Sequence, residues 1–160
     1  MNVKTGYDVS VELNLKQIEE FSDVLKQIKK ARRREYLEEV GQLMLKSIDQ
    51  NFKRQGRYSS TDSIKGGSTR WKALSPMYAK WKKKHYPRKK IGERTGWMRK
   101  SFDYQIDQKL TNVKLVNMMP YAKHFDKWRP MLVVQDEDIR NIQAIGMRYA
   151  TKDWDVKRRR

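Results

Sequence analysis

The chain has no cysteine. Disulfides, thiolate metal sites and cysteine nucleophiles are thereby excluded. Histidine is scarce: His85 and His124 lie far apart in sequence and make a poor case for a zinc site. Long apolar runs are missing too. Stretches such as Met131–Val134 fall far below the roughly 20 residues of a membrane span. Met1-Asn2-Val3-Lys4 leads into no apolar signal-peptide core, so the expectation is a soluble protein made and used inside the cell. Acidic residues nearly vanish from the middle of the chain, where residues 51–100 hold two against sixteen Lys and Arg.

That last scarcity shapes the charge. The first 50 residues balance nine basic against nine acidic, and residues 101–160 hold twelve against eight. Most of the formal net charge of +18 therefore sits in one central third. Such a local field points to a polyanion or an acidic protein surface as neighbour; a solvated loop of crowded lysines is the bland alternative. The 160 residues fit one domain, 1–160.

Periodicity gives a coarse map. Residues 7–13 alternate apolar and polar as a half-buried strand does, and Asn14 with Gln17 reads as a weak capping box. Leu15, Ile18, Phe21, Leu25 and Ile28 recur at helical spacing up to the basic run Lys29–Arg34. A second helix follows through Leu37, Val40, Met44, Ile48 and Phe52, with Glu35, Glu38 and Glu39 in its first turn and Gly56 as its stop. Residues 56–70 have no period and read as a long flexible loop that orders on binding. Ser75-Pro76 opens a short helix to about His85. Phe102–Gln108 and Asn112–Asn117 form a hairpin, residues 131–135 a further strand, and Asp136 caps a last helix bearing Ile139, Ile142 and Ile145. The end, 155–160, reads as a frayed basic tail. The predicted class is α+β: an antiparallel sheet of about four strands, helices packed on one face, and a long basic loop or arm in the middle.

A set of short motifs falls in a fixed order. Phe52 ends a helix, Gly66-Gly67 lies in the loop, and Trp71-Lys72-Ala73-Leu74 and Tyr78 follow. Next come the basic segment Lys80–Lys84, then Thr95-Gly96-Trp97-Met98-Arg99-Lys100-Ser101, Tyr121-Ala122-Lys123-His124 and Arg129-Pro130. Over about residues 35–145 this order resembles the phage virion morphogenesis family, which includes tail completion proteins. Met98 stands where the family has Leu, and Phe125-Asp126-Lys127-Trp128 replaces its Gln and Gly after the His. The resemblance implies a structural role at the head–tail junction of a virion, assembled in the host cytoplasm. It implies an oligomeric ring, commonly hexameric in similar neck and tail-terminator proteins. The partners would be other copies of the chain, adjoining neck, connector or tail-tube proteins, and DNA in passage. No enzymatic activity and no cofactor are implied.

Read by themselves, the motif residues carry plain alternatives. Trp71, Leu74 and Tyr78 are spaced to share one apolar side of a short helix, as core or as an interface anchor. Thr95-Gly96 sets a turn or a helix start, and Gly92 and Gly96 alone make no phosphate loop. Tyr121 and His124 share a helical side, with His124 a buried or interface histidine bonded to backbone. Asp136-Glu137-Asp138 could serve a metal nuclease, though acids at a helix start suit its dipole. Lys80, Lys82, Lys83, Lys84, Arg88, Lys89 and Lys90, interleaved with Trp81 and Tyr86, form a basic surface. That surface supports a second reading as a sequence-independent nucleic-acid-binding protein.

Overall fold

The computed structural model describes residues 11–59 and 69–158, with side chains as far as Thr151. The described residues begin with β1 (Val11–Asn14), residues 7–10 of the expected strand lying outside them, and continue with one 3-10 turn (Leu15–Gln17) and α1 (Glu19–Lys26). Then come α2 (Lys30–Arg54), α3 (Pro76–His85), α4 (Trp97–Lys100), β2 (Phe102–Ile106) and β3 (Val113–Asn117). The last elements are α5 (Ala122–Trp128) and α6 (Asp136–Arg158).

The sheet is antiparallel with order β1-β3-β2. Leu13, Leu115 and Tyr104 stand in one row across it. β3 is the central strand, and its Val113 and Leu115 are fully buried in the core. α2 packs across β2 and β3, burying Leu37, Val40, Met44, Ile48 and Phe52 at intervals of three and four residues. α6 lies against α1 and α2. The approach to α1 is close because Gly146 has no side chain: a Cβ there would collide with Val24.

Among the described residues three strands form where about four were expected, since residues 131–135 make no ladder. Side chains take up their backbone groups instead. Asp126 Oδ1 accepts the N–H of Met131 at 2.7 Å and that of Leu132 at 3.4 Å. Asn51 Nδ2 donates to the Met131 carbonyl at 3.3 Å, and Asp138 accepts the Gln135 N–H at 2.9 Å.

The first helix is broken rather than continuous. Ile18 is extended between the 3-10 turn and α1, although Leu15, Phe21, Leu25 and Ile28 are all buried as their spacing predicts. Asn14 caps nothing with its side chain. Its amide oxygen accepts Asn112 Nδ2 at 3.0 Å, while Asn112 Oδ1 accepts the Lys16 N–H at 3.0 Å. A residue distant in sequence thus does the capping. α2 begins at Lys30, inside the basic run, so Glu35, Glu38 and Glu39 lie beyond its first turn. Burial of Tyr36 and Leu37 outweighs the unfavourable dipole of a cationic start. α2 ends at Arg54, with Gln55 rather than Gly56 taking the left-handed turn. Most of the expected loop 56–70, namely residues 60–68, lies outside the described residues, as do 159–160. α6 runs to Arg158, into the stretch read as a tail.

A buried polar junction ties α2 to the start of α6. Asp138 is fully buried and accepts the Ser47 hydroxyl at 2.9 Å and the Tyr58 hydroxyl at 2.6 Å. Gln135 Nε2 donates to Asn51 Oδ1 at 2.8 Å, and Gln135 Oε1 accepts the Ser59 N–H at 2.9 Å. Burial raises the Asp138 carboxyl above the usual carboxylate range, although its three donors pull the other way. Asp138→Ala leaves Ser47, Tyr58 and the Gln135 N–H without that acceptor and is expected to cost about 3 kcal/mol in urea unfolding. Asp138→Asn should cost less, with a pH signature. A carboxyl whose folded pKa is raised contributes most below its unfolded pKa and loses that contribution as pH rises through the folded value. Wild type should therefore lose ground to Asp138→Asn as pH climbs through that range. A difference that stays flat as pH rises above the ordinary carboxylate pKa would contradict this.

Candidate functional site

Phe52 closes the last turn of α2 and is fully buried. Its ring meets Trp71 edge-on at 5.0 Å, Phe102 at 6.1 Å and Phe125 in a stack at 6.5 Å. Trp71 also meets Phe125 edge-on at 5.4 Å. This aromatic centre fixes the Trp-x-x-Leu segment against α5. Polar bonds complete the clamp. Trp71 Nε1 donates to the Pro130 carbonyl at 2.9 Å. Arg129 donates through Nε to the Lys72 carbonyl at 2.7 Å and through Nη2 to that of Ala73 at 3.0 Å. The Trp-Lys-Ala-Leu and Arg-Pro motifs are thus two halves of one contact.

Trp71, Leu74 and Tyr78 do not share a helix side. Residues 71–75 have no regular secondary structure and α3 starts only at Pro76, so Trp71 turns into the core while Tyr78 stays 40 % exposed. Gly96 sits at φ +78°, which suits glycine, and begins the short α4. Thr95 Oγ1 accepts the Trp97 N–H at 3.4 Å, and Ser101 Oγ donates to the Trp97 carbonyl at 2.6 Å. Met98 is buried, and its carbonyl accepts the Asn117 amide at 2.9 Å. The segment after His124 continues as α5: Phe125 joins the aromatic centre and Asp126 holds the next turn. Ala122 is fully buried at the start of α5.

These motifs surround one cleft of about 750 Å³. Leu74, Tyr78, Thr95, Met98, Tyr121, His124 and Arg129 all line it, as do Trp97, Met119 and Arg94. Trp97 is 66 % exposed and Tyr121 48 % exposed. Lys82, Arg94, His124 and Arg129 supply the basic groups, and among the described residues no carboxylate lines the cleft. His124 is exposed at its rim, not buried; Ala122 is the α5 residue that enters the core. Tyr121 and His124 do face the same space, as their spacing predicts.

Lys82 leaves the expected basic surface. It is buried to 5 % exposure, and its ammonium donates to the Lys90 carbonyl. Burial lowers its pKa, with the Glu93 carboxylate opposing and the Arg129 guanidinium reinforcing the fall. Lys90 Nζ reaches the Lys53 carbonyl at 2.9 Å while remaining exposed. Lys80, Lys83, Lys84, Arg88 and Lys89 are exposed.

Sequence patterning gave no sign of the ion cluster behind α4. Arg99 bridges Asp49 of α2 and Glu93, each at 2.5 Å. Burial works against the Asp49 carboxylate, but Lys53 and Arg99 outweigh it and hold its pKa below the usual range. The acids at 136–138 are likewise structural in part, since Asp138 is bound inside the polar junction. Among the described residues no group of three His, Asp or Glu is placed to hold a metal ion, and no helix is long and apolar enough to cross a membrane.

Compared with known proteins, the chain matches no family model, no curated protein and no solved structure. Core and cleft make different energetic demands, which single substitutions separate. Phe52→Ala should lose about 3–5 kcal/mol of unfolding free energy. Trp97→Ala should stay within about 0.5 kcal/mol of wild type. Equal losses in denaturant titrations would mean that Trp97 is a packing residue.

Proposed function

We propose that the chain is a phage assembly protein that completes the tail or joins tail to head, acting by contact and not by catalysis. The supporting observation is convergence. Motif residues from Leu74 to Arg129, whose order resembles the virion morphogenesis pattern, line a single aromatic cleft whose Trp97 and Tyr121 are exposed. Large aromatic side chains left in water beside Arg and Lys are what a protein–protein contact uses as anchors. Under this reading, Tyr78, Trp97 and Tyr121 meet a second copy in a ring, or an adjoining neck, connector or tail-tube protein. The structural side chains Phe52, Trp71, Met98, Ala122 and Pro130 hold the cleft open.

The test is electron microscopy of lysates from the phage or prophage that carries the gene, with the gene interrupted. Full heads separated from headless or irregular tails are expected. Complementation with wild type should restore joined particles, and a stably folded Trp97→Ala, Tyr121→Ala double variant should not. Normal joined particles without the gene would sink the proposal.

A further inference from the structure

α3 is an oddity of packing. Its one buried side chain is Lys82, while Met77 is 85 % exposed and Tyr78 and Trp81 are each 40 % exposed. A helix of ten residues is marginal in water unless an apolar face is covered. Here the attachment is Lys82 reaching the Lys90 carbonyl, with the ring stack Tyr78–Trp81–His85 along the adjacent side. The remaining side carries Lys80, Lys83 and Lys84, one turn apart, and the chain then adds exposed Arg88 and Lys89. Among the described residues these five cations have no salt-bridge partner. The sequence from 63 to 92 contains no Asp or Glu at all. The helix therefore presents a cationic surface with nothing on its own segment to neutralise it.

We propose that α3 with Arg88 and Lys89 is a phosphate-contacting arm that binds duplex DNA independently of sequence. Flexible lysines without fixed partners suit a row of phosphates, where charge matters and bidentate geometry does not. The ring stack favours a duplex over a single strand. Trp81 stacks with Tyr78 at 5.5 Å and with His85 at 4.7 Å, so an unstacked base would compete with rings already in contact with it. This inference does not depend on the assembly role. A protein could bind DNA through α3 and have no place in a virion.

The experiment is fluorescence anisotropy of the full-length protein with a labelled duplex of about 30 base pairs, titrated at salt from about 50 to 200 mM. Neutralising α3 with Lys80→Gln, Lys83→Gln and Lys84→Gln should flatten the plot of log affinity against log salt by about 2.7, at roughly 0.9 per lost phosphate contact. The same number of charges removed elsewhere, by Lys26→Gln, Lys46→Gln and Lys109→Gln, should leave the slope unchanged. Melting curves of both triple variants should match wild type, because all six side chains except Lys26 lack a salt bridge among the described residues and all are exposed. Duplexes rich in A·T and in G·C should bind alike, and a single strand of equal length more weakly. Equal flattening by the two triples would show attraction to total charge and overturn the proposal. So would displacement of the duplex by polyglutamate at matched charge concentration, which would point to an acidic protein surface instead.

Discussion

The placement of Phe52 is the constraint on which the described structure turns. Its ring ends α2 and is met by Trp71, Phe102 and Phe125, from three segments well separated in sequence. α2 is the longest element, and it carries the core residues that pack on the sheet. Fixing its C-terminal end therefore fixes where the 71–75 segment, the hairpin and α5 begin. Asn51, one residue earlier, does the same for the start of α6 through polar bonds to Gln135 and Met131. Apolar contact supplies most of the driving force, whereas the polar groups select one arrangement, since each would be costly to bury unpaired.

With those contacts made, the leftover surface has a definite character. Arg129 uses its guanidinium to hold two backbone carbonyls of the 71–75 segment, which keeps one wall of the cleft rigid. Thr95 and Gly96 turn the chain so that Met98 enters the core and Trp97, its neighbour, faces water. One short helix thus serves stability on one side and contact on the other. α3 stands at the opposite extreme, with a buried lysine where a helix ordinarily buries Leu or Ile. Its cost is tolerable because the ammonium finds the Lys90 carbonyl.

Local pattern conveyed α2, α3, α6 and the hairpin because their residues meet partners at regular spacing. The buried positions of α2, the Ser75-Pro76 start and the two hairpin strands follow from periods of 3.6 and 2. What pattern missed was settled by distant side chains. Asn112 displaces Asn14 from its capping role, and Asp126 satisfies backbone that would otherwise seek a strand partner. Lys82 looks like its neighbours in sequence and differs only because of where α3 is seated. The cleft was partly legible. Its motif residues were named from their order, but the exposure of Trp97 and the Arg129 clamp depend on how remote segments meet. The Asn51–Gln135–Asp138 junction and the Arg99 ion cluster left no periodic trace, because polar contacts between elements obey no spacing rule.

The central claim is that the cleft is a contact surface in an assembled particle. Hydroxyl-radical footprinting of the purified protein and of particles containing it measures this most directly, because it reads side-chain exposure residue by residue. The account predicts that Tyr78, Trp97 and Tyr121 are oxidised in the free protein and protected in the particle, while Phe52 and Trp71 are protected in both. Equal oxidation of Trp97 and Tyr121 in the two states would contradict it.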